Sequence, residues 1–414
     1  MSRSLPSLPA LSDLSTDIAN GIPPELVLAW ADGERSEARA AELLAPYRRI
    51  GTVATSDTVG LSRMTKEHDL SVVLQMISRP KEILHALGTE IGGEAIGRWV
   101  ADNTEMFYNA SIPVDEVVGA MLEVHRRLPP GSPKIGIGIH YGTFYHIGGG
   151  LYGMDADLVE HIAEEESRGG ETLLTGAAHA RLRAAASYPV EVRDDLAAFG
   201  PILHVTDGPS YAHLPLRNTK YPAPYSNDFH DAIERMEAKT AEGLDEAMTA
   251  YSHEKAVLLV ERCPTSENIS GLVGLLNELL GNALLNLTFR QQLRPYETVC
   301  KTAGHIVLAT FDEVGQALAV AQALRAAMAD NGFILRAGID VGPLLIFPMG
   351  NGRWEFAGDP VNIASKQAED CGMPGWIYLS EQAAVGLDLP DAEPFEWQRS
   401  ALTIRSVGLR PQTE

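Results

Sequence analysis

The most constraining feature of this 414-residue chain is a pattern that occurs twice, with each copy keeping residues that the other copy has lost. The aligned pairs are Asp57 and Glu261, Asp102 and His305, and Gly142 and Gly342. The members of these pairs lie 204, 203 and 200 residues apart, respectively. Because chance similarity does not hold nearly the same spacing across three separate motifs, we interpret the chain as two fused copies of one fold. The complementary losses predict a single working site between the copies.

The charge balance narrows the class of partner. The net charge is −22, from 33 basic and 55 acidic residues, so the surface repels nucleic acid and anionic lipid, and we expect neither nucleic acid nor a membrane as a partner. The three cysteines, Cys263, Cys300 and Cys371, form no CxxC motif, and the N-terminal residues contain no apolar signal segment. These features predict a cytoplasmic protein in a reducing compartment.

Helical and proline-rich segments separate the copies. Residues 24–46 predict one helix, and the recurrence of apolar residues from Phe229 predicts another, capped by Asn227 or Asp228. The apolar stretch 269–287 is interrupted by polar side chains, so we interpret it as a buried amphipathic helix with a wide apolar face. The predicted segments are an N-terminal arm and helix (1–47), a first domain (48–205), a linker and helix (206–254) and a second domain (255–410).

Each copy shows the same order of predicted elements. A β-rich strand comes first, and helices follow it. Next come a strand pair around Asp102 or His305, another helix, a short apolar strand, a glycine-rich hairpin and a last helix. Mixed helices and strands joined by hairpins predict an α+β fold, in which helices cover one side of a sheet.

Two carboxylates of the first copy stand at strand ends. Asp57 ends a β-branched strand and Gly60 permits a sharp turn after it, whereas Asp102 lies at or near a hairpin bend. Either one alone is an ordinary turn residue, and the alignment of the copies is what singles out the pair. Two strand-end carboxylates can share two hard cations, as phosphoryl or nucleotidyl transfer requires. Candidate phosphate contacts are the backbone N–H groups of Thr58, Val59, Gly60 and Leu61 and the hydroxyl of Ser62.

These motifs together resemble those of the class III nucleotidyl cyclases. The run from Asp57 to Ser62 is similar to the Asp-Ile-x-Gly-Phe-Thr motif of that family, and Asp102 matches the aspartate of its Lys-x-x-Gly-Asp hairpin. The runs 139–142 and 339–342 match its Gly-Ile-His-x-Gly strand. The run 358–366 matches Gly-Asp-x-Val-Asn-x-Ala-Ser-Arg. The resemblance covers most of residues 48–205 and 255–410.

The resemblance implies two fused ferredoxin-like (βαββαβ) cyclase homology domains that form an intramolecular pseudo-heterodimer, so a monomer is sufficient for one site. In this family one domain supplies the aspartates that bind two Mg²⁺ or Mn²⁺ ions. Asp57 and Asp102 of the first copy match those aspartates.

The second copy resembles the other side of the family's site. Lys301 falls at the base-recognition lysine and Glu355 at the base-recognition acid. Asn362 falls at the residue that orients the ribose, and Lys366 at the arginine that stabilises charge on the α-phosphorus. A lysine with an acid favours adenine, which presents an amine where guanine presents a carbonyl. Asn362 and Lys366 are four apart on a predicted helix, so both are expected to face the same site.

Several positions depart from the family pattern. Lys366 replaces an arginine and lacks its bidentate fork, which predicts slow turnover. Glu355 is one methylene longer than the usual acid. Gly136 stands where the first copy is expected to carry a triphosphate-contacting arginine, and Lys134 is the candidate substitute, two residues back on the same predicted strand face. The second copy keeps Arg336 at this place, but without metal ligands.

The remaining combination of residues predicts an inactive second site. Glu261 and His305 do not form the same hard-cation pair, and 157–161 lack the Val-Asn-x-Ala-Ser-Arg pattern. Structural filler and a regulatory pocket are the two interpretations of that cleft.

The sequence therefore leads to an expected function and two alternatives. We expect an adenylate cyclase that converts ATP to 3′,5′-cyclic AMP and pyrophosphate, with two Mg²⁺ or Mn²⁺ ions. One alternative is a degenerate cyclase pair that binds a nucleotide or a partner without turnover. The other is a cyclase that acts on GTP, CTP or UTP.

Overall fold

The computed structural model divides into two compact units, which are described separately. It describes residues 14–15, 17, 21–97, 99, 102–209, 225–237, 248–264, 271–399 and 402–411. The first half is the unit Leu44–Glu237 with Met349–Asn351. The second half is the unit Met1–Leu43, Ala238–Pro348 and Gly352–Glu414, so the N-terminal residues group with the second half.

The segment predicted as one helix over 24–46 forms two helices, so that prediction was wrong. They are α1 (Pro24–Ala31) and α2 (Glu37–Leu44), with residues 32–36 between them outside any helix. Gly33 stands in this break, and a Cβ placed on it would lie 2.8 Å from the carbonyl oxygen of Ala29. Glycine also has the weakest helix propensity after proline, so the helix ends here.

The first half is a mixed sheet with helices. Its strands are β1 (Arg48–Thr58), β2 (Glu94–Ala95), β3 (Thr104–Asn109), β4 (Ile135–Ile147), β5 (Gly150–Tyr152), β6 (Thr172–Thr175), β7 (Val190–Val192) and β8 (Ile202–Val205). Its helices are α3 (Leu61–Glu67), α4 (Leu70–Glu90), α5 (Val114–Arg127), α6 (Met154–His161), α7 (Gly176–His179) and α8 (Asn227–Glu237). The strand order is β2-β3-β1-β4-β6-β8-β7, with β5 paired to β4.

The second half repeats this topology. Its strands are β9 (Ser252–Arg262), β10 (Cys300–Ala303), β11 (Ile306–Phe311), β12 (Leu335–Pro348), β13 (Trp354–Ala357), β14 (Ile377–Ser380), β15 (Glu393–Arg399) and β16 (Leu402–Leu409). Its helices are α9 (Leu272–Leu293), α10 (Val314–Asp330), α11 (Asp359–Ser365) and α12 (Glu381–Ala384). The order β10-β11-β9-β12-β14-β16-β15, with β13 paired to β12, matches the first sheet strand for strand. The α+β prediction is confirmed.

Helices cover both faces of the first sheet, which corrects the prediction of helices on one side. Side chains of a strand alternate between the two faces. Ala54 of β1 packs in one core with α4 and α5, whereas its neighbour Val53 packs with Ala156 and Val159 of α6.

Glycines allow α6 of the first half and α11 of the second half to approach the sheet closely. A Cβ on Gly138 of β4 would lie 3.0 Å from the carbonyl oxygen of Val159, and one on Gly338 of β12 would lie 2.1 Å from that of Ala364. Both helices continue as π-helical turns, Ile162–Glu166 and Lys366–Asp370, which start 204 residues apart. A π-helical turn is rare and is frequently found at functional sites.

The interpretation of 269–287 as a buried helix is confirmed where the structure describes it, because the middle of helix α9 is buried on all sides, with Glu278 exposed before that stretch and Arg290 exposed after it. Every residue from Leu279 to Leu287 is buried. Asn282 accepts hydrogen bonds from Nε and Nη2 of Arg262 at 3.1 and 3.0 Å, which accommodates one polar group in this apolar surrounding. The helix has the length and composition of a membrane span, but 67% of its most apolar window is buried within the protein, as in a core helix.

The start of α8 differs from its predicted capping. The sequence predicts Asn227 or Asp228 as the cap, but Ser226 Oγ accepts the hydrogen bond from the Phe229 N–H at 3.3 Å. Serine is a favoured cap because its oxygen accepts from the first free N–H groups of a helix. Most of the predicted proline-rich linker, 210–224, and the continuation of the predicted helix, 238–247, lie outside the described residues.

Candidate active site

Asp57 is the next-to-last residue of β1, a strand that has a neighbouring strand on each side. Strand β1 is antiparallel to β3 and β4, and Asp57 stands opposite Gly136 in the β4 register. The strand ends at Thr58, and Gly60 then adopts a φ of 88° before α3 begins. Glycine takes this left-handed conformation without strain, so the predicted sharp turn is present.

Asp102 lies in the connection from β2 to β3, close enough to Asp57 for the two carboxylates to share a hydrogen bond. Burial raises the pKa of Asp57 to about 8, and the negative charges of Asp102 and Glu164 add to this. Burial also raises the pKa of Asp102. Two partly buried carboxylates in contact resist joint ionisation, so a cation between them would relieve their repulsion.

This carboxylate pair fits a magnesium or manganese site that is completed by substrate. Among the described residues, no group of three or more His, Cys, Asp or Glu side chains is arranged to hold a metal ion. Mg²⁺ usually binds through one or two carboxylates, with the phosphates of a substrate and water as the other ligands. Asp57 and Asp102 supply the protein's part of that set.

Other side chains near the pair were not found by sequence reasoning. Glu164, in the π-helical turn after α6, accepts a hydrogen bond from Asn103 Nδ2 at 3.0 Å and acts electrostatically on both aspartates. Lys81 of α4 acts on Asp102 with the opposite sign. A lysine between Ile77 and Leu84 on the apolar face of a predicted helix is the signal that could have revealed it.

The predicted phosphate loop is only partly available. The Val59 N–H donates to the carbonyl oxygen of Lys134 at 3.0 Å, so this N–H is already used. Asp57 accepts from the backbone of Thr58, whose buried hydroxyl has no hydrogen-bond partner among the described residues. The N–H groups of residues 60–62 stand at the start of α3.

Lys134 lies next to this loop rather than within a strand. It directly precedes β4, which begins at Ile135, and its side chain is exposed. Lys134 thus stands one residue before the strand that carries Gly136, and its role as a substitute for the missing arginine stays a prediction. The Val59 N–H donates to the carbonyl oxygen of Lys134, so the lysine lies beside the loop that its side chain is predicted to assist.

The second half has replaced the carboxylate pair by an ion pair. Arg336 of β12 stands opposite Glu261 of β9 in register, and its Nε and Nη2 donate to the two carboxylate oxygens at 2.6 and 2.8 Å. His305 Nε2 lies 3.8 Å from Glu261 Oε1. A bidentate arginine satisfies the charge that a metal would otherwise bind.

Gly136 explains why the first half lacks this ion pair. It occupies the register position of Arg336, opposite the acid of β1. A Cβ at Gly136 would lie 1.7 Å from Ser167 Oγ, so no larger residue fits unless Ser167 moves. Among the described residues, Asp57 and Asp102 form no direct ion pair with a basic side chain, and this distinguishes them from Glu261.

Lys301 and Glu355, the predicted base-recognition residues, are in contact. Lys301 Nζ donates to Glu355 Oε1 at 2.5 Å and to the carbonyl oxygen of Phe356 at 3.3 Å, and it lies 4.6 Å from the centre of the Phe356 ring. Glu355 is only 6% exposed, and its Oε1 also accepts from the Phe356 N–H at 3.0 Å. The lysine keeps a third N–H and the glutamate a second oxygen for a ligand.

Asn362 and Lys366 lie one turn apart at the end of α11. The Lys366 N–H donates to the carbonyl oxygens of Asn362 and Ile363, and the π-helical turn starts at Lys366. Lys366 Nζ donates to Asp370 Oδ2 at 3.2 Å. The aligned residues of the first half, Leu158 and Ile162, have no polar side-chain atoms, so only the second half has these groups.

The raised pKa values lead to a pH-dependence prediction for the metal-free protein. The pKa of Asp57 is about 8 in the folded state against a usual 3.8, so the folded state binds more protons than the unfolded state between these values. We therefore expect the protonated Asp57 to contribute to the free energy of unfolding. This contribution is fully present below about pH 4 and is lost as the pH rises to about 8. Asp57→Asn should make the fall in stability less steep.

Urea unfolding of both proteins at several pH values checks this prediction. Burial together with Glu160 and Glu164 raises the pKa of Glu105 to about 8. Glu105 therefore causes stability to fall with rising pH in both wild type and variant. The informative quantity is the difference in the free energy of unfolding between wild type and variant at each pH. Parallel pH profiles would contradict the assignment to Asp57.

Comparisons with known proteins agree with the geometry at the level of the fold. No family model and no curated protein sequence matches the chain. Among solved structures, the chain is similar over both halves to class III cyclase folds, and it has two cyclase-like α+β halves.

One such structure is a class III adenylyl cyclase-like ATP-binding protein from Pseudomonas aeruginosa. It is 12% identical, with a TM-score of 0.55, over 89% of this chain and 93% of that chain. An adenylyl cyclase from P. aeruginosa aligns at 15% identity over 40% of this chain and 98% of its own, with a TM-score of 0.34. A guanylyl cyclase aligns at 17% identity over 41% of this chain and 98% of its own, with a TM-score of 0.33.

Proposed function

We propose that the chain is a nucleotidyl cyclase that converts ATP to 3′,5′-cyclic AMP and pyrophosphate. The observation that carries this proposal is the difference between the two halves at one register position. Asp57 faces a glycine and contacts a second carboxylate, whereas Glu261 is neutralised by Arg336. The carboxylate pair of the first half therefore favours binding of a divalent cation. Asn362 and Lys366 of the second half have apolar residues at the aligned positions of the first half.

Each group has a defined part in the proposed reaction. Bound Mg²⁺ or Mn²⁺ would lower the pKa of the ribose 3′-hydroxyl and neutralise phosphate charge. Asp57 and Asp102 hold the ions, and Asn362 orients the ribose so that its hydroxyl is in line with the α-phosphorus. Lys366 donates to the charge that develops on the phosphoryl oxygens. The 3′-oxygen bonds to the α-phosphorus, the bond from that phosphorus to the bridging oxygen of pyrophosphate breaks, and the hydroxyl proton is released to water.

The pair of Lys301 and Glu355 is proposed to select adenine. The remaining lysine N–H can donate to a ring nitrogen, and the second glutamate oxygen can accept from the exocyclic amine. Guanine presents a carbonyl to the glutamate, which leaves two acceptors facing each other. A site that hydrogen-bonds one partner in this way rejects the analogue that lacks the donor.

Glu355→Gln is expected to reduce the preference for ATP over GTP about tenfold or more, because an amide can donate to the guanine carbonyl. The ratio of kcat/KM for the two nucleotides measures this effect. Asp312→Asn is the matched control, since Asp312 forms an exposed ion pair with Lys255 in the same half. An unchanged ratio in Glu355→Gln would exclude this residue from base recognition.

A second candidate is a protein that binds ATP without turnover. It is favoured by Lys366 in place of arginine, with its ammonium bound to Asp370. The structure that is similar over both halves is itself described as an ATP-binding protein. It is opposed by the joint presence of Asp57, Asp102 and Asn362, because a pure binder has little need for two metal ligands.

Product formation separates the two candidates. Purified protein with Mn²⁺ and each of ATP, GTP, CTP and UTP is expected to yield a cyclic product from ATP. A cyclic product from another nucleotide would change the substrate, and nucleotide binding without a cyclic product would favour the second candidate. A cytoplasmic location and the lack of nucleic-acid and membrane partners remain proposals based on composition.

A further inference from the structure

Lys81 is a buried lysine at the edge of the carboxylate pair. It lies in α4 with 1% of its surface exposed, and its Nζ donates to the carbonyl oxygen of Trp99 at 2.8 Å. Lysine is almost never fully buried unless it is paired, because burial of an ammonium is strongly unfavourable. A lysine retained in this place therefore calls for a specific role.

The carbonyl that Lys81 binds belongs to the same connection as Asp102. Trp99 precedes Asp102 by three residues and is 2% exposed. Its Nε1 donates to the carbonyl oxygen of Ile96 at 3.0 Å, and its ring meets the ring of His85 of α4 edge to face at 5.5 Å. Helix α4 thus contacts this connection through a charged hydrogen bond and a ring contact.

The second half lacks both the lysine and the acid that it would position. Spacings of 204 and 203 residues align Lys81 with Leu285 or Leu284 of α9, and both leucines are buried. The same alignment replaces Asp102 by His305. The buried cation and the second carboxylate therefore occur together in one half and are absent together from the other. The half that keeps the carboxylate pair is also the half that keeps the lysine.

We propose that Lys81 is a positioning residue of the metal site: its ammonium fixes the Trp99 carbonyl and so holds Asp102 against Asp57. This inference rests on the proposed function, since it requires that the carboxylate pair binds a divalent cation. A charged hydrogen bond in a low-dielectric interior is strong, so it can fix the backbone that leads to Asp102. Mutation of a residue that orients a metal ligand typically lowers metal affinity roughly 10-fold to 100-fold.

The test is the affinity for Mn²⁺ alone, measured by calorimetry on the full chain without nucleotide. Lys81→Met keeps the length of the side chain but removes the donor, and we expect its Mn²⁺ affinity to fall roughly 10-fold to 100-fold. Leu285→Met is the matched core substitution in the second half and should leave the affinity unchanged. Asp102→Asn gives the affinity expected when a ligand itself is lost.

Hydrogen exchange distinguishes positioning from general destabilisation. In Lys81→Met, peptides that cover 94–105 should exchange faster, while peptides from β4 and β12 should keep their wild-type rates. If Lys81→Met does not fold, Lys81→Gln is measured in the same way.

Three results would overturn the inference. Wild-type Mn²⁺ affinity in a folded Lys81 variant would remove this role and leave the proposed function intact. Faster exchange throughout the variant, with unchanged affinity, would assign Lys81 a structural role only. A wild-type chain that binds no Mn²⁺ would instead contradict the metal site of the proposed function, and this inference would fail with it.

Discussion

Asp57→Ala is expected to lower the rate of cyclic-nucleotide formation by about 10³-fold or more. The carboxylate pair is the metal-binding group of the proposed reaction, and metal ions contribute several kcal/mol of charge stabilisation in such reactions. A loss of about 4 kcal/mol corresponds to a factor of about 10³ in rate. The measurement is the initial rate of product formation with saturating Mn²⁺ and ATP.

Asp102→Ala and His305→Ala form the matched comparison, because they occupy aligned positions in the two halves. Asp102→Ala is expected to cause a loss similar to that of Asp57→Ala, whereas His305→Ala should leave most of the activity. His305 is 45% exposed at its side chain, so its removal should disturb the fold little. Equal losses from Asp102→Ala and His305→Ala would contradict the division of roles between the halves.

The sequence predicted the elements whose patterns are local. The strand that carries Asp57, the turn at Gly60 and the antiparallel pairing of β2 with β3 on either side of Asp102 depend on nearby residues. All three are present, although β1 ends one residue after Asp57, at Thr58. The duplication also predicted the matching order of the two sheets. Comparison of the two copies was effective because they form the same fold with different residues at the aligned site positions.

The sequence did not predict features that depend on distant residues. The ion pair of Glu261 and Arg336 joins positions 75 residues apart and follows from the register of β9 and β12. The contact of Lys81 with Trp99 depends on how α4 packs against the connection from β2 to β3. The break after α1 was missed because the alanine-rich pattern continues through Gly33. The first two features result from tertiary packing, which periodicity alone does not encode, whereas the break after α1 is a local effect of Gly33.

Arg336→Met is expected to destabilise the second half by roughly 2–3 kcal/mol. Removing one partner of a buried ion pair leaves the other charge without compensation, which typically costs about 3–5 kcal/mol. The lower range is expected here because the Arg336 side chain keeps 20% exposure, whereas that of Glu261 keeps 7%. The double variant Glu261→Leu with Arg336→Met should recover most of the loss, since it removes both charges.

Neutral substitutions of the two aligned acids are expected to change stability with opposite signs. Near pH 8 and without metal, Asp57→Asn removes a carboxylate that burial and Asp102 disfavour, so the first half should become more stable. Glu261→Gln removes the partner of Arg336, so the second half should become less stable. Calorimetric unfolding of both variants measures the signs. The same sign in both would mean that the acids share one role, whereas opposite signs would mean that a once common position became a metal ligand in one half and a structural ion pair in the other.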